Sequence, residues 1–85
     1  MSLPDRSGLI DRTSYEQVWA QIARMIRADI TDGTFTAGHR LPSETDLADQ
    51  YGVARMTARK AVAQLAADGV VTIVHGRGTF VTQTG

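Results

Sequence analysis

Apolar side chains in the first half of the chain recur every three or four positions. Tyr15, Val18, Trp19, Ile22, Ile26 and Ile30 form such a stripe, and Arg24, Arg27 and Asp29 fall off it. That period places one apolar face along an amphipathic helix. Thr13 or Ser14 offers an N-cap oxygen, Glu16 and Gln17 sit in the first turn, and Asp32-Gly33 is a stop, so a first helix is expected over 14–32. Trp19 is expected in the core, with Tyr15 and Phe80. The pattern breaks at "TFTAGHRLPSE", where Gly38 and Pro42 forbid a continuous helix while Phe35 and Leu41 anchor a loop that packs down. Ser43 is a good N-cap, Glu44 and Asp46 favour a helix N-terminus, and Leu47, Ala48 and Tyr51 give a short helix over 43–50 its apolar side.

Gly52 suits the left-handed residue that stops this second helix. A third helix is expected to begin near Ala54 or Arg55 and to run over 55–68, ending at Asp68-Gly69. "VVTIV" and "TFVTQ" are strand-like, and His75-Gly76-Arg77-Gly78 makes the turn of a hairpin between them. The pattern therefore predicts a mainly α fold with a small β-hairpin. Residues 1–12 mix Pro, Gly, Ser and charges without a period and read as a flexible N-terminal arm before a domain over 13–83.

On the third helix, Ala58, Ala61, Val62 and Leu65 fall within one arc roughly 100° wide, the side to be buried. Its N-terminal half then exposes Arg55, Met56, Thr57, Arg59 and Lys60 together, and its alanines keep it slim. Such a helix fits a major groove about 12 Å wide. A guanidinium can donate two parallel bonds to guanine or clamp a phosphate; Thr57 can bond a phosphate oxygen or touch a thymine methyl. The Ser43 helix start could likewise hold a phosphate. A basic helix face is more often simply solvated. Here it follows a short helix and a Gly-Val turn, the spacing of a helix-turn-helix, and that shifts the balance toward DNA.

The hairpin tip projects Arg77, which can lie along or into a minor groove, although a turn with a solubilising arginine looks the same in sequence. Its glycines lack the spacing and following helix of a phosphate loop.

Eighty-five residues make one domain, and 42% hydrophobic content is enough for a globular core. There are no cysteines and only His39 and His75 as nitrogen ligands, so no metal or other cofactor is expected, and no nucleophile–base pair suggests an enzyme. No apolar run nears the ~20 residues of a membrane span, which makes a cytoplasmic protein the expectation. Net charge is zero, yet residues 1–49 hold five arginines against eight acids, a balance of −3. Residues 50–85 hold Arg55, Arg59, Lys60 and Arg77 against Asp68, a balance of +3. The molecule is polarised rather than neutral.

The run "LPSETDLADQYGVARMTARKAVAQLAADGVVTIVHGRGTFV", residues 41–81, resembles the N-terminal DNA-binding domain of the GntR family of bacterial transcription regulators, and within it the HutC-like subgroup, where Arg-Met-Thr is a common start to the recognition helix. The resemblance implies a winged helix-turn-helix of three helices plus a two- or three-stranded antiparallel wing. Family members typically bind palindromic operators as dimers and repress transcription until a small metabolite binds a separate C-terminal domain. Carried over, Arg55, Thr57 and Arg59 would contact DNA from the recognition helix, Ser43 and Thr45 from the helix before it, and His75, Gly76 and Arg77 from the wing. Three positions depart from the pattern. Thr45 stands where many members have a base-reading arginine, Ala54 replaces the usual serine N-cap, and Lys60 replaces a frequently acidic or polar residue. No effector-binding domain is expected within these residues.

Two functions remain open at this point: sequence-specific DNA binding as part of a transcription regulator, expected to be a repressor, or a winged-helix protein-interaction module docking through the acidic helix 14–32. The second has little use for Arg55, Arg59 and Arg77 near one surface.

Overall fold

The computed structural model describes residues 3–83. Three helices follow one 3-10 turn at Ser7–Leu9: α1 (Val18–Thr31), α2 (Glu44–Tyr51) and α3 (Arg55–Ala67). Strands β1 (Val71–Val74) and β2 (Gly78–Val81) complete the chain as an antiparallel hairpin. The slim α3 is the centre of the fold and packs on both other helices. Its buried residues are Ala58, Ala61, Val62 and Leu65, the arc set by the helical period. They meet Ile22 and Ile26 of α1, Leu47 and Tyr51 of α2, and Leu41 and Val71 at the hairpin end. The result is the three-helix and hairpin architecture of a winged helix-turn-helix.

Local signals explain most boundaries. Ser43 Oγ accepts the Asp46 amide at 3.1 Å and starts α2. Gly52 ends it at φ 64°, and a Cβ there would also lie 2.8 Å from Ser7 Cβ, so glycine is required twice over. In the hairpin Val74 pairs with Gly78, which makes the turn three residues, His75-Gly76-Arg77, and puts Gly78 in the strand rather than at the tip. A third edge runs beside β2: Leu41 N donates to Thr79 O and Val81 N to His39 O, each at 2.8 Å, around a single bridge between Arg40 and Phe80.

The N-terminal third differs from its sequence pattern. The first helix starts at Val18 with Gln17 as an N-cap that makes no side-chain bond, not at Ser14. The buried Gln21 side chain donates to the carbonyls of Asp11 and Glu16 and accepts the Asp11 amide at 2.8 Å, which holds 11–16 in turns. Tyr15 is thereby left outside the helix and fully exposed instead of in the core. Trp19 and Phe80 are half-buried. Within the expected arm, Arg6 makes contacts with two helices. Arg6 donates to both carboxylate oxygens of Asp29, at 2.8 and 3.1 Å, and to Tyr51 Oη at 2.9 Å, while its amide donates to Gln50 O. Residues 1–2 of that arm lie outside the described residues.

Candidate nucleic-acid interface

Three elements meet at one end of the molecule: the start of α2, the start of α3 and the hairpin. Ser43, Thr45, Arg55, His75, Gly76 and Arg77 line one open groove of about 460 Å³. Beside it the first two turns of α3 present Met56, 69% exposed, with Arg59 and the half-buried Thr57. The backbone makes the hairpin tip possible: Gly76 has φ 76°, a left-handed conformation that costs glycine nothing.

Glu44 lies beside the two helix arginines. Its carboxylate oxygens lie 3.8 Å from Arg55 Nε and 4.0 Å from Arg59 Nε, and both guanidinium side chains stay largely in solvent. Pairs this exposed and this long contribute little to stability. The Glu44 carboxylate is a counter-charge shared by both arginines. Lys60 is set apart from Glu44: its ammonium sits 5.0 Å over the ring of Trp19, between α3 and α1.

Arg40 is a groove residue that the sequence pattern does not single out. It is exposed and lines the same groove. Its only local signal is that it precedes Leu41-Pro42-Ser43; its place depends on the pairing of 38–41 with β2. Glu44 was legible as a helix-start acid, but not as the partner of two arginines on the next helix.

The ion pairs show how zero net charge coexists with a basic face. Arg6 pairs with Asp29, Arg24 with Glu16 and Arg27 with Asp68, at 2.8, 3.2 and 2.8 Å. Arg12 donates to the Gly52 carbonyl at 3.0 Å. These contacts occupy cations elsewhere, and Arg40, Arg55, Arg59 and Arg77 gather at the groove end around Glu44. A local positive field of this kind draws in a polyanion whatever the total charge.

A short alanine-faced helix with guanidinium groups in its first turns, preceded by a helix-turn and flanked by a glycine-tipped hairpin, defines a winged helix-turn-helix DNA-binding domain. The chain belongs to the GntR family: residues 19–81 match the family described as bacterial regulatory proteins, gntR family. It is 42% identical over 71 residues to the probable fructoselysine utilization operon transcriptional repressor of Escherichia coli K12, covering 84% of this chain and 29% of that protein. It is 38% identical over 66 residues to the histidine utilization repressor of Pseudomonas putida, covering 78% of this chain and 27% of that protein. A solved structure of the AraR DNA-binding domain in complex with operator ORX1 superimposes with a TM-score of 0.76 at 34% identity, covering 85% of this chain and 89% of that one. The chain spans less than a third of the length of the curated relatives it matches. Family and relatives are regulators, not enzymes.

Proposed function

We propose that this domain reads an operator for a bacterial transcription regulator that acts as a repressor. The observation behind it is the convergence of Ser43, Thr45, Arg55 and the His75-Gly76-Arg77 turn on one groove beside the exposed start of α3. In this reading α3 enters the major groove, where Arg55 and Arg59 address guanine edges or phosphates. Thr57 and Met56 make the neighbouring backbone or methyl contacts. Ser43 and Thr45 meet a phosphate at the start of α2, and the wing lays His75, Gly76 and Arg77 at the minor groove. Lys60, held at Trp19, contributes charge from the side.

The operator is a palindrome bound by two copies, because one module gives a short footprint and weak binding whereas two half-sites multiply it. An effector would act through a domain outside these residues, and a regulator of DNA works in the cytoplasm. No helix among the described residues is long and apolar enough to cross a membrane.

Selection of bound duplexes from a random pool, at two salt concentrations, tests this reading. Recovery of a sequence motif, with affinity falling steeply as salt rises, is the expected result. No binding at either salt would remove the DNA reading and favour a protein-interaction module.

A further inference from the structure

We propose that Arg40 is a DNA-contacting residue, a phosphate clamp between the wing and the recognition helix, with its guanidinium resting against Gly78. This rests on the DNA-binding reading above. The backbone of Arg40 is bridged to Phe80, between the hydrogen bonds that join His39 and Leu41 to β2. Its side chain therefore springs from the wing's own sheet and not from a free loop. A Cβ placed on Gly78 would lie 2.7 Å from Arg40 Nε and 3.3 Å from Nη2. Gly78 has φ 123°, which by itself favours glycine, and a Cβ there would push the flexible guanidinium aside.

The effect is a guanidinium laid across the base of the wing, lining the groove with Ser43, Thr45, Arg55 and Arg77. No carboxylate pairs with it among the described residues, whereas Arg6, Arg24 and Arg27 are each held by an acid. An unpaired planar fork on a fixed strand, between two elements that approach DNA, suits the oxygens of a phosphodiester. Such a contact sets register and orientation and carries no base preference.

The test compares the wild-type chain with Arg40→Gln, Gly78→Ala, the double variant and Arg59→Ala. Each is titrated over several salt concentrations onto a selected duplex and a scrambled one, with thermal unfolding measured alongside. Arg40→Gln is expected to weaken both duplexes roughly tenfold, to lower the salt slope by about one, and to leave the unfolding temperature unchanged. Gly78→Ala strains the backbone in either background, so the informative comparison is with the double variant. Arg40→Gln should cost little further once alanine has displaced the guanidinium. Wild-type binding and slope in Arg40→Gln, beside a clear loss in Arg59→Ala, would overturn the clamp alone. A loss confined to the selected duplex would make Arg40 a base reader and also overturn it, and full additivity with Gly78→Ala would overturn the seat. If the wild type binds neither duplex, the DNA reading fails and the clamp with it.

Discussion

Glu44 of α2 faces Arg55 of α3 across the helix-turn-helix at 3.8 Å, and its second oxygen lies 4.0 Å from Arg59. If this is the DNA-binding surface proposed above, a carboxylate there repels the phosphates and can act only by orienting the arginines. Glu44→Gln should therefore bind scrambled duplex about 2–5-fold more tightly at low salt, from the loss of one repulsive charge. The ratio of selected to scrambled affinity should fall by a similar factor. Equilibrium titrations of both duplexes at two salts measure this. An unchanged ratio would show that the carboxylate does not orient the arginines.

Ala54 precedes α3, and its extended backbone (φ −66°, ψ 149°) fits an N-cap although its side chain makes no capping bond. Ala54→Ser supplies the missing acceptor without changing the backbone. A gain of about 0.5–1 kcal/mol is expected, seen as a higher denaturant midpoint at an unchanged m-value. No gain would mean that the first-turn amides are already satisfied by solvent.

Helical period and cap chemistry act over a few residues, and what they control was legible in the sequence. The buried arc of Ala58, Ala61, Val62 and Leu65, the Ser43 cap and the left-handed Gly52 all follow from neighbours in the chain. Tyr15 shows the limit. It continues the α1 stripe in sequence, but Gln21 captures the carbonyls of Asp11 and Glu16 and the helix never reaches it. The same holds at the interface. Arg55, Arg59 and the wing tip are visible as local chemistry, whereas Arg40 gains its place from strand pairing and Lys60 is drawn to Trp19 by the α1–α3 packing. Side-chain partners distant in sequence are decided by the finished fold.

Tyr51 is fully buried, and burial pushes its phenol above the ordinary tyrosine range, partly offset by the hydrogen bond from Arg6. The folded state thus favours the neutral phenol. That stability is complete below the unfolded pKa near ~10 and is lost as pH rises from there through the folded value. The unfolding temperature should hold steady from this group's standpoint up to about pH 9.5 and drop beyond it. Tyr51→Phe should lose much of that alkaline drop, at a cost of about 1 kcal/mol near neutral pH for the lost hydrogen bond. Equal alkaline drops in wild type and Tyr51→Phe would assign the effect to other groups.

Arg6 joins three parts of the chain, with its guanidinium on Asp29 of α1 and Tyr51 of α2 and its own backbone on Gln50. The hydrogen bonds to Asp29 hold its pKa above the usual arginine range, so it stays charged at every working pH. The paired side chains are 22% and 11% exposed, enough burial that truncating one strands the other. Arg6→Ala leaves the Asp29 carboxylate and the Tyr51 hydroxyl without their partner, and a loss of about 2–3 kcal/mol is expected. For a domain of this size that corresponds to roughly 10–20 °C in unfolding temperature. Arg6→Lys should recover part of the loss, because an ammonium can reach one carboxylate oxygen but cannot reproduce the fork. DNA affinity measured well below the unfolding temperature should be unchanged in both variants, since Arg6 lies outside the groove that Arg40, Arg55 and Arg77 line. A loss below about 0.5 kcal/mol in Arg6→Ala would mean that the N-terminal segment adds nothing to the fold it is tied to.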